Sequence, residues 1–172
     1  MLKRLCIMII LLFPCIGFGA KVKVKDCKMS FATIGKPVLI QIKGGSTKNC
    51  TGTASLKNNI PQSADIKLSL EHIDTGIELR NKHLKENYLN TEKYKFAQFK
   101  LNKAKTDSKK FTGTMDFQGV KKTITGTYEI NDKKVTAEFF LGFPEFNIKP
   151  PSFMGVTVTD KVRIEIVLTV GS

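Results

Sequence analysis

The sequence predicts an all-β domain, a sandwich or an up-and-down barrel, with one short helix in its middle. Three observations carry this. Apolar and polar residues alternate with period two over most of the chain, as half-buried antiparallel strands require. Clusters of Gly, Asn and Pro separate the alternating runs at short intervals. A single segment, Glu78 to Asn90, moves to helical spacing and contains neither Gly nor Pro.

Met1–Ala20 reads as an export signal. Lys3 and Arg4 precede an apolar run of nine residues, Leu5 to Phe13, and small residues follow at Gly17, Gly19 and Ala20. The run is shorter than the roughly 20 residues that a spanning helix needs. Cleavage is expected near Gly19. A lipoprotein would acylate Cys15, but Phe13 and Pro14 stand where small residues belong. The expected organisation is a cleaved signal over residues 1–20 and one domain over 21–172, periplasmic or secreted, with no transmembrane segment after cleavage. Only Cys27 and Cys50 then remain. Two cysteines in an exported chain point to one disulfide. It would close a loop of 24 residues, worth roughly 3 kcal/mol in the chain-entropy account. No CxxC motif is present.

The elements follow in order. Val22 to Phe31 is the first expected strand. Val38, Ile40 and Ile42 alternate with Gln41 and Lys43, and Gly44-Gly45-Ser46 reads as a turn. Asn49 to Leu56 leads to a turn at Asn58-Asn59-Ile60-Pro61, and Ile66, Leu68 and Leu70 alternate with Lys67, Ser69 and Glu71. In the helix, Leu79, His83, Leu84 and Tyr88 share a face, and Asp74 or Thr75 is the expected cap. Phe96 to Leu101 resumes the strands. Phe111, Gly113, Met115 and Phe117 then face Ile124, Gly126, Tyr128 and Ile130 in a hairpin turned at Gly119-Val120-Lys121. Val135 to Leu141 follows a turn at Asn131-Asp132-Lys133, Lys149-Pro150-Pro151-Ser152 is a rigid loop, and Val162 to Val170 closes the chain. That makes eight or nine strands. Gly52, Gly113 and Gly126 each stand inside a Thr-Gly-Thr triplet, where a bend or bulge is expected.

Composition narrows the function classes. The 172 residues are 41% hydrophobic and 25% charged, an ordinary globular balance. Losing Lys3 and Arg4 lowers the net charge from +13 to +11. The lysines are spread over nearly every strand and turn, and only Arg80 and Arg163 remain as arginines. Base and phosphate readers favour Arg, so a solvated lysine surface or attraction to an anionic membrane surface is expected, and no nucleic acid. HExxH, GxSxG and a Gly-rich phosphate loop are all missing. His72 and His83 are the only histidines, eleven residues apart, and form no local metal pair. Asp74 and Glu78 read as helix-start charges rather than an acid/base pair. No cofactor, metal or catalytic residue is expected. Phe96, Phe99, Phe111, Phe117, Phe139, Phe140, Phe143, Phe146 and Phe153 crowd the second half and are expected to point inward. Two readings stand: a close-packed core, or an apolar cavity inside a barrel.

The segment from His72 to Leu84, followed by Tyr88-Leu89, resembles the YceI-like family, bacterial and mostly periplasmic polyisoprenoid-binding proteins. Asp74, Thr75, Arg80, His83 and Leu84 match that family's Asp-Thr-Gly strand end and Arg-Asp-x-His-Leu helix, with Asn81 where the family prefers Asp. Phe99 fits its Phe-x-Ser strand, with Leu101 in place of Ser, and Gly113 and Gly119 match its Gly-bounded hairpin. Phe153-Met154-Gly155-Val156 to Ile166 is similar to its Phe-Gly loop and final strand. The similarity covers about Leu68 to Leu168.

The resemblance implies an extended, lipocalin-like antiparallel β-barrel of about eight strands with one short α-helix. Its interior would hold an isoprenoid lipid, such as a quinone tail or polyprenyl phosphate. Alternation parity selects an apolar lining of Ile66, Leu68, Leu70, Phe99, Leu101, Met115, Phe117, Tyr128, Phe139 and Ile164. Arg80 and His83 are the candidates for a polar contact or for anchoring the helix to the barrel. The first expectation is a lipid carrier that is not an enzyme. The alternatives are a closed-core β module binding a protein partner or anionic surface through its lysines, and an isomerase- or hydrolase-like enzyme using His83.

Overall fold

The computed structural model describes residues 21–37, 39–46 and 50–170. Its strands are β1 (Val22–Lys36), β2 (Ile40–Ser46), β3 (Cys50–Lys57), β4 (Ile60–Ser69), β5 (Phe96–Ala104), β6 (Lys110–Phe117), β7 (Val120–Asn131), β8 (Lys134–Gly142), β9 (Ser152–Phe153), β10 (Val156–Val158) and β11 (Lys161–Val170). The helix α1 (Glu78–Leu84) lies between β4 and β5.

Antiparallel pairing runs β1-β3-β4-β5-β6-β7-β8-β11, and β11 returns to β1, where Cys27 faces Leu168. Eight strands therefore close a barrel, which removes the open edges of the sheet. The long β1 makes its barrel contact with β3 through its first residues and serves two further partners: its second half pairs with β2, and its end pairs with β10 of the small β9–β10 hairpin. One disulfide, Cys27–Cys50, ties β1 to the start of β3 across a Cα–Cα distance of 5.5 Å.

Tight turns explain the meander. Asn58-Asn59 and Gln118-Gly119 take positive φ at both central residues, the geometry that matches the twist of two-residue hairpins. Strand register slips beside Leu56, Asn102 and Val24; such bulges bend a sheet toward closure. Pro61 sits opposite Leu56 at the first of these irregularities, where a missing N–H is tolerated.

Several expectations need correction. Gly44 and Gly45 are not a turn; they lie within β2, paired with Phe31 and Ser30. Val38 and Asn49 lie outside the described residues, as does the expected signal. Ile60 and Pro61 belong to β4 rather than to its turn, and Val120 and Lys121 belong to β7. The helix is shorter than expected: α1 ends at Leu84, a π-helical turn spans Lys85–Leu89, and Asn90 stops it in the left-handed region. Neither Asp74 nor Thr75 caps α1. The cap position is Ile77, with no side-chain bond, because a turn at Gly76 (φ 80°) stands between. Phe96 and Phe140 face outward, at 55% and 60% exposure. Phe140 follows the inward Phe139 on one strand, and neighbours on a strand point to opposite faces.

The glycine triplets also have a more specific reason than bending. A Cβ on Gly113 would stand 2.1 Å from the Phe99 ring, and one on Gly126 would stand 2.7 Å from the Phe111 ring. Both glycines give aromatic rings a seat against the barrel wall.

Candidate functional site

The barrel interior holds an apolar cavity of about 370 Å³ at the end where α1 crosses. A second, of about 70 Å³, lies toward the β3–β4 hairpin. Period-two alternation puts the lining in place: β6 buries Phe111, Gly113, Met115 and Phe117 in succession, and their neighbours face out.

Ile66, Leu68, Leu70, Phe99, Met115, Phe117, Phe139 and Ile164 line the larger cavity. Leu101 and Tyr128 line only the smaller one. The Tyr128 hydroxyl donates to the Lys105 carbonyl at 3.0 Å, and burial, then the nearby Asp107, pushes its pKa up. Parity from the strands alone misses the rest of the larger wall. Met29, Phe31 and Thr33 come from β1, Ile40 and Ile42 from β2, and Ile73, Ile77, Leu84 and Tyr88 from the helical region. The alternation of Ile40 and Ile42 was a usable signal in the sequence. The contribution of Phe153 to Val158 was not, because it depends on how the short β9–β10 hairpin folds onto β1.

The helical segment is bound to the mouth by a polar network. Asp74 exchanges two backbone hydrogen bonds with Gly45, both at 2.9 Å, which joins it to β2. The Asn81 side chain reaches back from the helix. Its Oδ1 accepts from Thr75 N at 2.8 Å and Thr75 Oγ1 at 2.6 Å, and its Nδ2 donates to Asp74 Oδ1 at 2.8 Å. The Asn81 bond lowers the Asp74 pKa most, followed by the Gly76 N–H; loss of some carboxylate hydration opposes them, and Lys85 and Thr75 add smaller effects. Arg80 Nε donates to Thr75 Oγ1 at 2.9 Å and its Nη2 donates to the Thr75 carbonyl. The Arg80 guanidinium thus closes the turn before the helix.

His83 connects the helix to β9. Its Nε2 lies 3.0 Å from the Ser152 carbonyl, which can only accept, so Nε2 carries the proton. Nδ1 is then free to accept from Asn87 Nδ2 at 2.9 Å. Tyr88 Oη donates to the same carbonyl at 3.2 Å and accepts from Ser152 N at 2.9 Å. The imidazole packs against the rings of Tyr88 and Phe153, at 5.5 and 5.7 Å between centroids. Both Arg80 and His83 line the cavity, yet the bonds described here are internal. Among the described residues, no three His, Cys, Asp or Glu side chains gather as a metal site would require.

Known proteins share this architecture. Burkholderia cenocepacia BcnA superposes with a TM-score of 0.66 at 18% identity, over 84% of this chain and 96% of BcnA. A polyisoprenoid binding domain from Saccharophagus degradans, implicated in plant cell wall breakdown, superposes at 0.62 with 12% identity, over 88% and 97%. The Campylobacter jejuni YCEI protein superposes at 0.59 with 17% identity, over 78% and 88%. No curated protein sequence matches the chain. At such identities the solved structures speak for the fold alone. The sequence itself carries the family profile described as YceI-like domain from residue 20 to residue 170, and with the barrel and its mouth helix this places the chain in the YceI-like family.

Proposed function

We propose that the protein is an exported lipid carrier. It holds an isoprenoid chain, of the quinone or polyprenyl phosphate type, in the barrel interior for carriage, storage or sequestration. The observation that carries this reading is the cavity of about 370 Å³, whose wall is almost wholly hydrocarbon and aromatic. Burial gains roughly 25 cal/mol per Å² of apolar surface, so a hydrocarbon chain binds there without a polar code. The Saccharophagus domain, named for polyisoprenoid binding, shares the barrel and supports the choice of ligand class. Residues 1–20 and the disulfide support an exported, periplasmic location.

In this reading Arg80 and His83 hold the helix and β9 over the mouth rather than performing chemistry. The cavity weighs against a filled core acting only through surface lysines. The rim supports a further partner, an anionic membrane surface. Ile40, Ile77 and Met154 line the cavity and are also 46%, 48% and 85% exposed. Lys36 and Lys82 stand exposed at the same end.

The test is expression with the signal in a bacterial periplasm, followed by native and denaturing mass spectrometry. An extractable bound mass with an isoprenoid fragmentation pattern is the expected result. A clean protein mass, repeated after incubation with quinones and polyprenyl phosphates, would overturn the reading.

A further inference from the structure

The two cavities lie end to end inside the barrel and share Ile66, Phe99, Phe139 and Ile166. A row of edge-to-face rings runs through this boundary. The Phe99 centroid lies 5.6 Å from that of Phe111, which lies 6.3 Å from that of Phe139. The rings come from β5, β6 and β8. Phe111 and Phe139 are buried, at 5% and 4% exposure, whereas Phe99 is only partly buried. A Phe ring has no polar atom, so packing alone holds it. Gly113 provides the space that Phe99 occupies, and Gly126 does the same for Phe111.

We propose that Phe99, backed by Phe111 and Phe139, is the floor of the ligand cavity and limits the length of hydrocarbon that the protein takes. This rests on the carrier reading. At about 30 Å³ per water-sized group, the space above the floor holds roughly a dozen carbon-sized groups, and the space below holds roughly two. A longer chain must leave its end in water at the mouth or displace the Phe99 ring. Removing that ring joins the two chambers and adds the volume of the ring itself. Each further buried methylene strengthens binding about fourfold, so one additional isoprene unit is expected to gain at least tenfold.

The experiment measures equilibrium competition of geraniol, farnesol and geranylgeraniol against a dansylated geranyl probe, using the delipidated protein. Wild-type affinity is expected to rise from geraniol to farnesol and then level off. For Phe99→Ala it is expected to keep rising through geranylgeraniol, at least about tenfold above wild type. Adding Ala137→Phe, which refills the lower chamber, is expected to restore the limit. Phe99→Leu keeps an apolar side chain on the wall and is expected to give an intermediate limit, which guards against a misfolded alanine variant. Wild-type affinity that climbs without a break, or Phe99 variants that follow the wild-type curve, would overturn the floor. Failure of every alcohol to bind every variant would overturn the carrier reading, and the floor with it.

Discussion

Asn81 shows how much one side chain organises at the mouth. It accepts twice from Thr75 and donates to Asp74, so the helix and the turn before it take one arrangement. These donors hold the Asp74 carboxyl below its ordinary titration range, with Asn81 the largest cause and the Gly76 N–H the next. A carboxyl lowered in the folded state contributes stability above its ordinary value. That contribution is lost as the pH falls through the lowered one. Asn81→Ala is expected to raise the Asp74 titration toward the ordinary range, read by carboxyl-carbon NMR. An unmoved titration would contradict the assigned cause. The helical segment was legible at Glu78 to Asn90 because its apolar residues leave the period of two for helical spacing. The partners of Arg80 and His83 were not legible, since Ser152 lies 69 residues beyond His83.

At the scale of elements, β1 is the organiser. It pairs with β2, β3, β10 and β11, and its one disulfide fixes it to β3. Cross-linking removes freedom from the unfolded chain, by roughly 3 kcal/mol for a loop of this size. Cys27→Ala with Cys50→Ala is expected to lower the unfolding free energy by about that amount, measured by urea titration. An unchanged midpoint would mean that the bridge adds nothing to the paired strands. Strand parity in β6, β7, β8 and β11 was readable because each has one face buried. β9 and β10 are two and three residues long, too short for any period to show.

For the molecule as a whole, barrel closure creates an inside with one apolar rim. Ile77 and Met154 stand on that rim at the helix end, with Lys36 and Lys82 nearby. If the rim meets a bilayer, binding combines apolar insertion with attraction that salt screens. Co-flotation with phosphatidylglycerol vesicles is expected, weakened by high salt and reduced several-fold by Ile77→Ser with Met154→Ser. Equal flotation with phosphatidylcholine vesicles would remove the electrostatic part, and no flotation with either would remove the membrane as a partner.

The sequence by itself determined the all-β class, the cysteine pair, the position of the helical segment between β4 and β5 and most of the inward-facing residues. It could do so because period-two burial, turn chemistry and helix spacing are local rules, written within a few residues of one another. Only the tertiary structure decided that the interior is a cavity rather than a filled core, because void volume depends on side chains from every stave at once. It likewise decided that Gly113 and Gly126 seat rings, that Phe96 and Phe140 face solvent, and that Phe99 stands between two chambers. Those facts are distances across the barrel, set when β11 closes on β1 and not by any one strand.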